Sequence, residues 1–210
     1  MPVRPTTSAD PADEHPDVTR TTADDVLARL ERAFPGGRVN RLDLPAGRRL
    51  VIDDGRGARV TDHAGRSYID YLLSSGPLII GHAHPHVVDA IRRRAERGTS
   101  FHLPSLEALE LAERVIGLVP CAEQVRFCGS GSEATMFALR LARAATGRDA
   151  VLKLEGAFHG NHDSALMSLA PSGAAAYPTP EPSSSGIPDA ATGDVLIAPF
   201  NDLATVCLLY

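Results

Sequence analysis

The chemistry in this chain concentrates in RFCGSGSEATMFALRLARAATG, residues Arg126 to Gly147. Gly129, Ser130, Gly131 and Ser132 form a tight glycine turn between a strand-like run and a long helical pattern, the local grammar of an anion site. Ser130 and Glu133 have the S-x-x-E spacing of a capping box, which opens a helix. The unpaired N–H groups of that first turn, and the helix dipole, point back at the turn. Glycine lets a ligand approach the backbone, and the Ser132 hydroxyl can add a hydrogen bond. A phosphate fits there. The spacing predicts a helix over Glu133 to Ala145, with Ala134, Phe137, Ala138, Leu141 and Ala145 on its buried side.

The residues alone leave open whose phosphate this would be. GSGSEA matches G-x-G-x-x-A, and Glu155 closes the next predicted strand, near where a ribose-binding acid belongs, so a nicotinamide dinucleotide is one reading. No lysine follows the glycines, which excludes a nucleoside-triphosphate P-loop.

Other chemistry-bearing residues carry less. His82, His84 and His86 alternate in GHAHPH, but Pro85 breaks the strand they would need to converge on one ion, and no Cys or acidic ligand set accompanies them; no metal site is expected. Lys153 is the sole lysine among 21 basic residues, and it reads as structural or surface. Arg41, Arg48 and Arg49 could pair with a carboxylate but read as solvated loop arginines. Cys121, Cys128 and Cys207 are odd in number and widely spread, which suggests reduced cytoplasmic thiols and no disulfide frame.

The elements that must position these residues follow from periodicity. A first helix runs from a Thr22 cap to Phe34 and stops at PGG. RLVIDDGRGARVTDHAGRSYIDY predicts three short strands with turns at Asp54-Gly55 and His63-Ala64-Gly65. Helices start near Pro85 and Ser105. QVRFC, AVLKLE and DVLIAPF are strand candidates, and Asn201 or Asp202 caps a last helix at NDLATV. Strands alternating with helices imply an α/β fold with a parallel sheet. The Pro/Ser/Ala-rich run at 170–193 reads as a functional or mobile loop outside the core. The expected organisation is a disordered tail over 1–20, a helix and small antiparallel sheet over 21–81, and the first part of a large α/β domain over 82–210.

Totals set outer limits. Hydrophobic content of 43% and charged content of 22% are ordinary for a globular protein. A net charge of −5 argues against nucleic acid as the main partner. No run approaches the roughly 18 apolar residues of a membrane span.

Taken together, SGSEATMFALRLARAATGRDAVLKLEGAFHG resembles the class III pyridoxal-phosphate-dependent aminotransferases, nearest their glutamate-1-semialdehyde 2,1-aminomutase-like branch. FPGG, AGRSYIDYLLSSGPLIIGHAHPHVVDAI and GTSF resemble that family's N-terminal half, in order. The resemblance implies an incomplete fold type I (aspartate aminotransferase-like) architecture: an N-terminal segment plus the first part of the large domain. It implies pyridoxal 5'-phosphate as cofactor, with its phosphate on Gly131 and Ser132 beside Ser130, its ring stacked on Phe158, and His159 shaping the pocket. Ser74 and Ser75 match the GSWGP stretch that borders the substrate, with Ser75 in place of Trp. This departure, and the missing Ser-Pro-Val-Arg after GG, leave aminomutase and broader aminotransferase activity equally open.

In the family the Schiff-base lysine and the pyridine-binding aspartate lie further along than Tyr210. No catalytic residue is therefore expected within these 210 residues, and the chain is expected to be part of a longer enzyme and inactive alone. The resemblance further implies a homodimer acting on a small amino acid, amino aldehyde or keto acid. The alternatives are a nicotinamide dehydrogenase fragment and a non-catalytic binding piece.

Overall fold

The computed structural model describes residues 22–39, 44–45, 48–171 and 177–209. The tail expected over 1–20 and Arg41 lie outside the described residues. The chain divides into two compact units between His102 and Leu103.

In the first unit, helix α1 (Ala23–Ala33) starts at Thr22, whose hydroxyl accepts from the Asp25 N–H at 3.2 Å while the Asp25 carboxylate accepts from the Thr22 N–H at 3.3 Å. This reciprocal pair satisfies two of the donors a helix start leaves over. Strands β1 (Ile52–Arg56), β2 (Arg59–Asp62) and β3 (Ser67–Ile69) form an antiparallel meander in that order. Arg56 faces Arg59, so the first turn lies at Gly57-Ala58 and not at Asp54-Gly55. A bulge between Ile52 and Asp54 lengthens β1 past the expected turn, and Gly57, at φ +56°, supplies the positive dihedral the hairpin needs.

The second turn is organised by Asp62, only 3% exposed. Its Oδ1 accepts from the N–H groups of Ala64 and Arg66, at 3.0 and 2.8 Å. Its Oδ2 accepts from Arg66 Nε at 2.8 Å and the Tyr68 hydroxyl at 2.9 Å. Helix α2 (Pro85–Ala95) begins on its proline, whose missing N–H costs nothing there.

In the second unit, Ser105 caps α3 (Leu106–Leu118) by accepting from the Ala108 N–H at 3.3 Å. Gln124–Cys128, expected as a strand, is unpaired among the described residues; a strand exists only where a neighbour completes its ladder. Helix α4 (Gly131–Thr146) follows and ends on Gly147 in the left-handed conformation. Strands β4 (Val151–Leu154) and β5 (Val195–Ala198) pair in parallel, Val151 with Val195 through Leu154 with Ala198. The Asp202 carboxylate caps α5 (Leu203–Leu209) through the Thr205 N–H at 3.1 Å.

The core of this unit is Met167, Val195 and Ile197, with Ile187 and Ala191 packed on it. The 170–193 run therefore contributes to the core, against the expectation of a peripheral loop. Its return leg lies beside the chain at 166–168: Ser168 donates to the Glu181 carbonyl at 2.6 Å and Ser183 to the Leu166 carbonyl at 3.0 Å. These backbone bonds carry Ile187 and Ala191 onto the apolar cluster.

The packed side of α4 also differs from expectation. Thr135, Met136, Leu139 and Arg143 are half-buried, whereas Ala134, Ala138, Leu141 and Ala145 are exposed; of the expected face only Phe137 is half-buried. The helix turns its Met136–Arg143 side toward His162, Asp163 and Ser164, which line a cleft with it. In sequence the expected stripe is the more apolar of the two, so the packed side is set by tertiary contacts and runs against the periodicity. Among the described residues no helix is long and apolar enough to cross a membrane, and no His/Cys/Asp/Glu group could hold a metal.

Candidate functional site

The glycine turn is built as an open helix mouth. Ser130 has extended backbone, and its hydroxyl accepts from the Glu133 N–H at 3.2 Å. The Glu133 carboxylate reaches past Ser130 and accepts from the Gly129 N–H at 2.6 Å. The expected capping box is therefore half made: Glu133 closes the turn one residue earlier than the motif prescribes. Gly131 and Ser132 occupy the first positions of α4, where a helix has no carbonyl to offer their N–H groups. A side chain built on Gly131 would meet nothing within 4 Å, so the mouth is open on that side.

A second segment, 158–162, is docked on this first turn. The Asn161 N–H donates to the Ser132 hydroxyl oxygen at 3.1 Å. Because that oxygen is accepting, the Ser132 proton can be donated outward. Thr135 Oγ1 lies 2.6 Å from the His159 carbonyl oxygen, 3.0 and 3.1 Å from those of Gly131 and Ser132, and 3.2 Å from His162 Nε2. Gly160, at φ +128°, presses against the same turn: a Cβ there would sit 2.9 Å from Ser132 Cα and 3.0 Å from Thr135 Oγ1. Glycine fits both the dihedral and the space.

The fold thus sets the segment that carries Phe158 and His159 on the turn through the His159 carbonyl, Gly160 and Asn161, a link the sequence offers by motif alone. Phe158 is 54% exposed and His159 is exposed. Thr135, Asn161 and His162 were missed; their signal lies in tertiary contacts, and nothing in their local spacing marks them. Burial pushes the His162 imidazole below its usual range, Arg143 adds to that, and Asp163 only partly opposes it.

Lys153 lies on β4 with 4% exposure, its Nζ donating to the Leu154 carbonyl at 3.1 Å. Burial pushes its ammonium down against the opposing pull of Glu155. It is an interior lysine, not a surface one. Glu155 accepts from the Tyr177 hydroxyl at 2.7 Å.

Ser74 and Ser75 lie in the first unit on an unusual turn. Leu73, Ser74 and Ser75 have φ of +45°, +58° and +66°, a left-handed run that costs free energy at each non-glycine residue. Asp70 holds it: Oδ1 accepts from the N–H groups of Leu72 and Leu73 at 2.9 and 3.1 Å, and Oδ2 lies 2.7 Å from His82 Nε2. The hydrogen bond from His82, aided by the Leu73 N–H, holds the Asp70 carboxyl below the usual range. His82 is thus paired with Asp70, which accounts for one of the three alternating histidines without a metal. Arg49, expected as solvated, is ion-paired with Glu31 at 3.1 Å.

Comparison with solved structures defines the class. An omega-transaminase from Sphaerobacter thermophilus superposes with a TM-score of 0.84 at 35% identity, over 90% of this chain and 44% of its own. A transaminase with PLP bound gives 0.80 at 33%, over 89% of this chain and 43% of its own. The architecture is therefore part of the fold type I, pyridoxal-phosphate-dependent transaminase fold.

The chain belongs to the class-III aminotransferase family, whose profile matches residues 45–209. It is 48% identical over 183 residues to a glutamate-1-semialdehyde 2,1-aminomutase of Desulfitobacterium hafniense, a match covering 85% of this chain and 42% of that relative. The chain thus spans less than half the length of the curated relatives it matches. Family membership displaces the dinucleotide reading of the glycine turn.

Proposed function

We propose that the protein is a pyridoxal-5'-phosphate-dependent enzyme of amino-group transfer, acting either within glutamate-1-semialdehyde or between an amino donor and a keto acid or aldehyde. The observation that carries this reading is the docking of 159–161 onto the open first turn of α4, which joins an anion mouth to Phe158 in a chain of this family. The Gly131 and Ser132 N–H groups and the helix dipole favour a phosphate dianion, and the Ser132 hydroxyl donates a further bond. Phe158 offers a ring face for stacking, and His159 borders the same space. When bound, the cofactor supplies an electron sink for charge at the substrate's α-carbon.

The proton-moving lysine is not assigned to Lys153, whose Nζ is buried and bonded to its own strand. Ser74 and Ser75 are assigned to the substrate side on the family resemblance, supported by the strained backbone that Asp70 maintains. The same resemblance supports a homodimer and a division into an N-terminal segment over 21–81 and the start of a large domain over 82–210. Unpaired Cys121, Cys128 and Cys207 support a cytoplasmic setting.

The test is to strip the complete native protein of cofactor and titrate it with pyridoxal 5'-phosphate and with pyridoxal, then supply amino donors and glutamate-1-semialdehyde. Tight binding that requires the phosphate, followed by amino transfer to one of these substrates, is expected. Equal affinity for the two vitamers would remove the phosphate from the Ser130–Ser132 turn.

A further inference from the structure

We propose that Thr135 is the positioning residue of the phosphate mouth, its hydroxyl clipping the 158–162 segment onto α4 with its proton aimed by His162. The inference rests on the reading of that mouth as a phosphate site. A threonine hydroxyl carries one proton, and three carbonyl oxygens lie within reach of this one. The His159 carbonyl, at 2.6 Å, is closer than those of Gly131 and Ser132 at 3.0 and 3.1 Å. The other two are the local acceptors that a helical threonine ordinarily uses.

What selects the distant carbonyl is His162. Its Nε2 lies 3.2 Å from Thr135 Oγ1. With hydrogen on Nε2 the ring donates to Oγ1 and leaves the hydroxyl proton for His159, whereas a bare Nε2 would compete for that proton. The clip therefore uses the Nε2–H form of the imidazole, which orients the hydroxyl from behind. Asp163 and Arg143 are the charged groups acting on that ring.

The consequence reaches Ser132. Asn161 donates to the Ser132 oxygen and Gly160 packs on Ser132 Cα only while the 159–161 backbone stays on α4. Besides Ser132 itself, Thr135 holds it there from the helix, by the shorter bond. Without the clip, Asn161 leaves Ser132, and the serine hydroxyl is free to turn back to the helix, away from a phosphate.

The experiment uses the complete native protein, stripped of cofactor, and measures dissociation constants for pyridoxal 5'-phosphate and for pyridoxal in Thr135→Val, Thr135→Ser, His162→Leu and His162→Gln. Valine keeps the shape and removes the hydroxyl; glutamine keeps an N–H donor that leucine lacks. The expected result is a loss of about tenfold or more in phosphate-dependent affinity for Thr135→Val and His162→Leu, with Thr135→Ser and His162→Gln within about threefold of the parent. Equal phosphate preference in Thr135→Val and the parent would overturn the clip. Should Thr135→Val not fold, the two His162 variants decide: identical affinities in them overturn it. A parent protein that does not prefer the phosphorylated vitamer rejects the phosphate site itself, a different failure from that of the clip.

Discussion

Ser132 and Asn161, 29 residues apart, meet through one hydrogen bond of 3.1 Å in which the serine oxygen accepts the Asn161 N–H. That direction matters more than the distance. An oxygen that accepts from the protein still has its own proton to give, so the bond leaves Ser132 able to donate to a phosphate in the proposed helix mouth.

Ser132→Ala removes both the outward donor and the Asn161 anchor. Hydrogen bonds to charged groups contribute about 1.5–3 kcal/mol, so affinity for pyridoxal 5'-phosphate should fall by about tenfold or more. Affinity for pyridoxal should hardly change. Ser132→Thr restores the hydroxyl and should recover most of the loss. An alanine variant that binds the phosphorylated cofactor like the parent would remove Ser132 from the site.

Gly160→Ala places a methyl 2.9 Å from Ser132 Cα, against backbone that cannot move aside, at a φ of +128°. Steric overpacking costs roughly 1–3 kcal/mol, with a dihedral penalty added. A lower melting temperature and weaker cofactor binding should appear together. A variant with the parent's melting temperature and affinity would show that the loop does not lie on α4 as described.

Asp62 ties the second turn of the small sheet. Burial pushes its carboxyl up, but bonds from the Arg66 N–H, the Tyr68 hydroxyl and the Arg66 guanidinium outweigh that and hold it below the usual range. A carboxyl lowered on folding stabilises above its unfolded value, near ~3.9, and that contribution is lost as pH falls through the folded value. Asp62→Asn should therefore be less stable than the parent at neutral pH, with the gap narrowing in acid below about pH 4. Hydrogen exchange of the Ala64 and Arg66 amides across that range is the direct readout, and a gap independent of pH counts against the assignment.

Lys153 gives the opposite sign. Its ammonium is held below the ordinary lysine value of ~10.4 chiefly by burial, so the folded state disfavours the charged form. That penalty is full at neutral pH and fades as pH rises toward the ordinary value. Lys153→Met should match or exceed the parent in melting temperature at pH 7, and its advantage should shrink near pH 10. A less stable methionine variant at neutral pH would mean that Glu155 attraction, not burial, governs this lysine. Borohydride reduction with pyridoxal 5'-phosphate should leave Lys153 unmodified, and an adduct there would reopen its role.

Local chemistry in the sequence was sufficient to place the helix starts. Thr22, Ser105 and Ser130 each sit where a short side-chain oxygen can take a leftover N–H, and each does so. The glycine turn and its helix, and the strand character of AVLKLE and DVLIAPF, were likewise readable, because turn chemistry and strand composition depend on neighbours a few residues away.

Only the tertiary structure decided the rest. Gln124–Cys128 has strand composition, but strand pairing needs a partner that composition cannot provide. Helix α4 packs on its less apolar side, where Thr135 contacts His159 and His162, and the stripe that periodicity favours stays exposed except at Phe137. Ile187 and Ala191 join the core because backbone bonds from Ser168 and Ser183 lay the Pro/Ser-rich run against the chain at 166–168. The Thr135 hydroxyl had three acceptors in reach, two of them local, and the sequence shows only those two. The closest, His159, is 24 positions away: periodicity and capping act over a single helical turn, whereas the site depends on which distant segment reaches that hydroxyl.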